Sequence, residues 1–284
     1  MLSVPFGGRG LRQSEGLFQH VKQLAPILEH LFQSVERERI GAVSVSVKPV
    51  DAEDSYMPVF LAGYQTARAV AAALGVPLIE TNHQCGHFRA AMVDNESLLG
   101  TTFYGFHISG GTTDLVRVKS DPQGPYSIEL LGTSNDLHAG QFVDRVGVAL
   151  ELPFPAGKHL EALARKARRK DIKLGAAVKG TTCSFSGAES AAMRILQETE
   201  PEELAFGVYD CLSRTMTKML RNAEQKNGTQ PILICGGVAS SALLRELLQN
   251  RYGQGLLFGR NELSADNAVG VAYIGWDRRA TWNH

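Results

Sequence analysis

The sequence predicts an α/β protein in two lobes, and three observations lead there. Strand-like and helix-like apolar spacings alternate along most of the chain. One stretch, 104–131, departs from that alternation and reads as strands in direct succession, a small antiparallel meander. The 284 residues, 44% apolar and 20% charged, also have the make-up of an ordinary globular protein too long for one small core.

From 13 to 38 the residues Leu17, Val21, Leu24, Ile27, Leu28 and Leu31 recur at three- and four-residue steps, an amphipathic helix. Residues 40–47, IGAVSVSV, alternate as a strand does. An alanine-rich helix follows over 57–74, stopped by Gly75, and then a short strand over 76–80. Asn82 is placed to cap a helix carrying His83 and His87. Strands over 104–108 and 115–118 flank SGGTTD, with a third at 127–131. Helices are expected at 139–150, 159–169, 188–197 and 202–226. The apolar PILIC, 231–235, reads as a buried strand. A helix at 240–249, a strand at 255–258 and a small-residue helix at 267–275 complete the chain.

Formal net charge is zero, so no global field draws the protein to nucleic acid or an anionic membrane, and any such partner needs a local patch. Cys85, Cys183, Cys211 and Cys235 are scattered with no C-x-x-C pair, which fits a reducing compartment better than a disulfide framework or zinc ribbon. No 18-residue apolar run exists, and the N-terminal sequence lacks a signal-peptide core, so the expected location is the cytoplasm, with no membrane partner.

Five features carry chemistry. His83 and His87 at i and i+4 share one helix face and suit a common ion, although two unrelated histidines would read the same. Gln84 stands where a zincin has its glutamate, so a metalloprotease would lack a general base. Cys85 points away from His83 and reads as a small buried residue. Ser109-Gly110-Gly111-Thr112-Thr113-Asp114 joins two strands; its glycines and hydroxyls suit an anion nest, and Gly-Gly also suits a plain hairpin turn. Gly236-Gly237, followed by Val238-Ala239-Ser240-Ser241, leaves a buried strand and opens a helix, where nucleotides approach backbone in α/β proteins, although a structural β–α turn with a serine cap reads the same in isolation. Asp266 precedes the final helix and reads alone as a cap, with Ser264 as another. Finally, Arg165, Lys166, Arg168, Arg169 and Lys170 put five cations into six residues. Such a run is usually a solvated helix face, and here it is also the local patch that could attract RNA phosphates.

Taken in order, HQCGH, ISGGTTDLV, FVDRVGVALELPFPAG, CSFSG, CGGVASSALLREL and ADNAVGVAYIG resemble six motifs of one family. It is the TsaD-like tRNA threonylcarbamoyladenosine transferases, formerly called O-sialoglycoprotein endopeptidases or glycoproteases. The resemblance implies the two-lobed fold of actin, hexokinase and the heat-shock ATPases. The expected first lobe comprises 1–106 and 260–284, and the second 107–259. It implies one divalent metal, zinc or iron, on His83, His87 and Asp266. It implies an adenylate substrate, or ATP or ADP, against Ser109, Gly110, Gly111, Thr112, Thr113, Asp144, Gly157, Gly236, Gly237 and Ser241. The implied activity is transfer of a threonylcarbamoyl group from threonylcarbamoyl-adenylate to N6 of a tRNA adenosine next to the anticodon, with tRNA held through Arg165–Lys170 and with protein partners of the same pathway.

The chain departs from the family at four places. The family's opening strand–turn–strand, with its ETS-C-like phosphate loop, has no counterpart here, so the first lobe is expected to be incomplete at its N-terminus. Cys85, Thr112 and Ser241 replace an acidic residue, a histidine and an asparagine of the family pattern. These departures keep open a diverged paralogue, or a non-catalytic nucleotide-binding scaffold subunit, beside the transferase; a metalloprotease is the least favoured reading.

Overall fold

The computed structural model describes residues 12–50, 54–121, 126–253 and 255–282, and places a helix or strand at each position the apolar pattern singles out. In chain order these are α1 (Gln13–Ser34), β1 (Val43–Lys48), α2 (Phe60–Leu74), β2 (Leu78–Asn82) and α3 (His83–Ala91). Next come β3 (Thr102–Ile108), β4 (Thr113–Lys119), β5 (Ser127–Gly132), α4 (Ala139–Ala149) and α5 (Gly157–Ala164). A hairpin of β6 (Ala177–Lys179) and β7 (Thr182–Ser184) precedes α6 (Ser186–Ile195) and α7 (Pro201–Asn227). The last elements are β8 (Ile232–Cys235), α8 (Ala242–Tyr252), β9 (Leu256–Phe258) and α9 (Val269–Asp277). Residues 1–11 lie outside the described residues.

Contacts divide the chain into two units. One runs to Ala90 and adds Asp121–Ser127 and Asn267 onward; the other is Ala91–Ser120 with Ile128–Asp266. The expected lobe boundary at 106 falls inside β3, which pairs with β4 from Thr102↔Lys119 to Ile108↔Thr113.

In the first unit β1 and β2 run parallel, from Val43↔Leu78 to Ser46↔Thr81. The helix α2 buries Ala62, Ala67 and Ala71, small residues that permit close approach. By contrast α1 exposes Phe18, Val21, Ile27 and Leu31, and of its described residues only Gly16 is buried.

The second unit is built on a mixed five-stranded sheet in the order β5-β4-β3-β8-β9. Parallel pairing of β3 with β8 runs from Tyr104↔Ile232 to His107↔Cys235. Behind it α7 presents Leu204, Val208, Leu212, Met216 and Met219, all at most 1% exposed, at the three- and four-residue spacing of one helix face. All four cysteines are free and buried, as scattered small core residues should be. Burial pushes the Cys183 and Cys211 thiols up to about 11 and that of Cys235 up to about 12. No helix among the described residues is long and apolar enough to cross a membrane.

Two local expectations need correction, and one hairpin is additional to them. The hairpin β6–β7 lies in a stretch too short and too polar to announce strands. The helix expected to Arg169 stops at Ala164, because the Glu203 carboxylate takes the backbone N–H groups of Arg168, Arg169 and Lys170 at 2.7, 2.9 and 2.6 Å. The basic run is therefore a loop closed over an acid rather than a helix face, and Lys170 adopts a left-handed φ of 56° within it. The last helix starts at Val269, whose N–H is taken by Asn267 Oδ1 at 2.9 Å, while Ser264 donates back to Arg260 O. Asn267 therefore supplies a cap at the start of that helix.

Candidate metal and nucleotide sites

Asn82 ends β2 and turns the chain into α3 by accepting the Cys85 N–H at 2.8 Å, as its predicted capping role requires. One helical turn then stacks His87 over His83: their Nε2 atoms are 3.1 Å apart and their rings meet edge-on with centroids 4.5 Å apart. Phe60 lies edge-on to His83 at 5.8 Å. Cys85, 1% exposed, turns inward, its thiol 3.7 Å from the Tyr126 carbonyl. Asp266 is bonded to Asn267, where the chain re-enters the first unit, and its carboxylate joins the histidines. One ligand atom from each of His83, His87 and Asp266 lies within 4.8 Å of the others, with both histidines half-buried and the acid exposed.

The donor set fits a divalent ion. Two nitrogens bound to one ion at about 2.0–2.1 Å stand about 3.0–3.4 Å apart at right-angled or tetrahedral geometry, the spacing seen here. Two imidazoles and a carboxylate suit zinc or iron(II), and three protein donors leave positions for a substrate oxygen.

The residues read as a nucleotide site belong to the second unit. Since β3 and β8 are parallel neighbours, the turn after Ile108 and the turn after Cys235 emerge side by side at the carboxyl ends of the strands, where open α/β sheets bind ligands. Gly236 is there for contact: its φ is +101°, and a Cβ would stand 2.2 Å from the Ile108 carbonyl oxygen. The 109–113 turn closes through Ser109 N–H to Thr112 O at 2.9 Å, and the Gly111 N–H reaches Ser109 Oγ at 3.3 Å. The turn is a tight hairpin in which neither Gly110 nor Gly111 adopts a positive φ, so it does not need glycine for left-handed backbone, and a Cβ on either would meet nothing within 4 Å. Thr113 instead accepts the first amide of α4, Ala139 N–H, at 2.8 Å. On that same turn Gly140 packs so closely that a Cβ would sit 2.6 Å from Gly110 Cα. The start of α4 is thus seated directly on the SGG turn.

Asp144, on the second turn of α4, accepts the Ala156 N–H at 2.7 Å, fixing the start of α5 at Gly157. Burial raises its carboxyl above the ordinary range, and that hydrogen bond pulls the other way. Ser241 caps α8 by accepting Leu244 N–H at 3.2 Å, so the serine in place of the family's asparagine has a local structural use.

Sequence reasoning missed three residues here. Tyr209, 1% exposed on α7, donates to Gly157 O at 2.9 Å. Burial foremost, then the charge of Glu161, pushes its hydroxyl up. Glu161 accepts the Leu243 N–H at 2.8 Å, tying α5 to α8. The helical period predicted both helices, but a tyrosine inside a 27-residue helix gives no sign of its partner. Asp136 is a third: it gathers Ser184, Ser186 and the Phe185 N–H onto one carboxylate.

Of the cations in the basic run, Arg165 is paired with Glu161 and Glu246 at 3.3 and 2.9 Å.

The chain is 31% identical over 269 residues to a tRNA N6-adenosine threonylcarbamoyltransferase of Carboxydothermus hydrogenoformans, covering 92% of this chain and 78% of that protein. It is 26% identical over 268 residues to the protein of the same description from Thermotoga neapolitana, covering 91% and 79%. Among solved structures it resembles HypF of T. kodakarensis with a TM-score of 0.60 at 15% identity, over 78% of this chain and 40% of that one. It also resembles an activator of 2-hydroxyisocaproyl-CoA dehydratase from Clostridium difficile, with a TM-score of 0.50 at 15% identity, over 90% and 82%. At those identities the likeness is one of fold, the α/β fold of the actin-like ATPases. With residues 16–273 matching the family model described as tRNA N6-adenosine threonylcarbamoyltransferase, the chain belongs to the TsaD family.

Proposed function

We propose that this chain transfers a threonylcarbamoyl group from threonylcarbamoyl-adenylate to N6 of a tRNA adenosine next to the anticodon, releasing AMP. The observation that carries the proposal is the convergence of His83, His87 and Asp266 within 4.8 Å in a chain of this family. In this reading those three residues hold one zinc or iron ion, which supplies Lewis-acid polarisation of a substrate oxygen. Nucleotide binding falls to the second unit. Backbone at Ser109–Thr113 and at Gly236–Gly237 lines the adenylate's phosphate and ribose, supported by the N-terminus of α4. Asp144, Gly157 and Ser241 complete the pocket, held by Tyr209 and Glu161. Catalysis by these groups is positioning and charge stabilisation, with no covalent intermediate on the protein.

For tRNA, the loop 165–170 offers Lys166, Arg168 and Arg169 to phosphates, while Arg165 and Lys170 are engaged by Glu161, Glu246 and the Phe206 ring. Other proteins of the same modification pathway are the partners this reading expects.

The deciding experiment supplies threonylcarbamoyl-adenylate and unmodified tRNA to wild type and to His87→Ala. Modified adenosine from wild type, above a no-enzyme control and lost in the variant, supports the transferase. Adenine nucleotide binding without any turnover, alone and with the pathway's other proteins, would instead favour a non-catalytic scaffold subunit.

A further inference from the structure

The two short helices α3 and α9 are joined by more than apolar contact. A Cβ on Gly270 would lie 1.9 Å from Gly86 O and 2.6 Å from Ala90 N, so the helices touch backbone to backbone. Beside that crossing Arg89, 1% exposed, grips Asp277 with Nε to Oδ2 at 2.6 Å and Nη2 to Oδ1 at 3.1 Å. Its guanidinium also lies 4.5 Å from the centre of the Tyr273 ring. Tyr126 closes the assembly from a third segment: its hydroxyl donates to Asp277 Oδ2 at 2.9 Å, and its carbonyl faces the Cys85 thiol.

A buried ion pair of this kind is poorly explained by stability. Desolvating a guanidinium and a carboxylate costs several kcal/mol, and apolar residues of the same volume usually serve the fold as well or better. What the pair adds is direction, because a bidentate Arg–carboxylate fork fixes distance and angle together. Arg89 lies two residues beyond His87, and Asp277 lies on the helix that Asp266 leads into. The fork therefore fixes how the histidine helix meets the helix behind the acid.

Building on the metal reading above, we infer that Arg89, Asp277 and Tyr126 are positioning residues that hold His83 and His87 in register with Asp266, and so set metal affinity. They act through the helix crossing.

The test is a cobalt(II) titration of the full chain, followed by visible absorption and by calorimetry, with melting of the metal-free protein measured in parallel. The variants are Arg89→Lys, Tyr126→Phe and the double variant Arg89→Met with Asp277→Leu, which replaces the fork by apolar side chains. The double variant is expected to melt close to wild type without metal, yet to bind cobalt about 10- to 100-fold more weakly, as lost support of metal ligands typically does. Its cobalt spectrum should also change shape. Arg89→Lys and Tyr126→Phe should fall between it and wild type. Wild-type affinity and spectrum in the double variant overturn the inference while leaving the metal site standing. If that variant does not fold, unchanged affinity in both single variants has the same force. Absence of cobalt binding in wild type, indistinguishable from His87→Ala, overturns both the inference and the metal reading.

Discussion

The candidate metal trio and the candidate phosphate turns are built by opposite means. The trio takes two donors from one turn of α3 and the third from a residue near the far end of the sequence, so it exists only if two short helices cross correctly. The turns at 109–113 and 236–237 follow neighbouring strands of one sheet, and their juxtaposition is fixed by β3–β8 pairing and glycine contacts. One site depends on side-chain identity and helix placement; the other depends on backbone. That difference explains why the departures from the family pattern are unequal in weight. Cys85 is turned into the core, Ser241 does a capping job, and Thr112 sits in a turn whose shape its backbone sets.

The largest expected effect on binding breaks the trio. Full four-ligand sets of structural zinc sites supply roughly 10–16 kcal/mol, so each donor carries roughly 2.5–4 kcal/mol, on the order of a hundred- to a thousand-fold in affinity. Asp266→Ala should lose that much zinc affinity by equilibrium dialysis and leave adenine nucleotide binding intact. Equal zinc content in the variant would remove Asp266 from the ligand set.

Next comes the backbone of the other site. Gly236→Ala forces a Cβ against the Ile108 carbonyl at a φ of +101°. Strain and overpacking each cost about 1–3 kcal/mol, so the variant should lose about 2–6 kcal/mol in urea unfolding together with nucleotide affinity. Thr112→Ser, in contrast, should change neither beyond about 0.5 kcal/mol, the usual range for a change that removes no key contact. Comparable losses in both would mean that the turn is read through its side chains after all.

How much of this was legible in the sequence follows from the same contrast. Periodicity marked the helices and strands because burial on one face repeats at the element's own period. The histidine pair was visible through its spacing, yet its acid could be named only through the family resemblance, since nothing local ties residue 266 to residue 83. The turns were visible through their glycines, but for the wrong local reason: Gly110 and Gly111 do not need positive φ, whereas Gly236 does. Glu203 was invisible. A glutamate in the first turn of a helix reads as favourable helix electrostatics, and only the fold reveals that it collects three amides of the basic loop.

Asp144 separates scaffold from ligand contact within the second unit. Asp144→Ala leaves the Ala156 N–H without its partner, which should cost about 1–3 kcal/mol in urea unfolding. Asp144→Asn retains an acceptor there and should recover most of that stability. If the asparagine variant is stable but binds nucleotide several-fold more weakly, the carboxylate faces the ligand; if it binds normally, Asp144 only fixes the start of α5.

The smallest effect concerns the loop that Asp136 gathers. Its carboxylate accepts from Ser186 Oγ at 2.5 Å, Leu137 N–H at 2.6 Å and Phe185 N–H at 2.9 Å, with Ser184 Oγ closer still. Phe185 in turn stacks on Phe142 of α4, with ring centroids 5.5 Å apart. Burial works to raise the Asp136 carboxyl, but the hydrogen bonds from Ser184, Ser186, Phe185 and Leu137 outweigh it and hold it well below the usual carboxylate range. A folded-state value below the unfolded one means the ionised group favours the folded chain. That contribution is complete above the unfolded value of about 3.9 and fades as pH falls from there toward the folded value. Asp136→Asn should therefore cost about 1–2 kcal/mol at pH 7, a modest figure because the group is solvent-exposed. The same difference should be found at pH 5.5 and should shrink progressively below pH 4. A difference that stays constant down to pH 2.5 would mean that shape and neutral hydrogen bonding hold the Ser184–Ser186 segment under α4, and the second unit's ligand-binding end would then owe its rigidity to backbone packing alone.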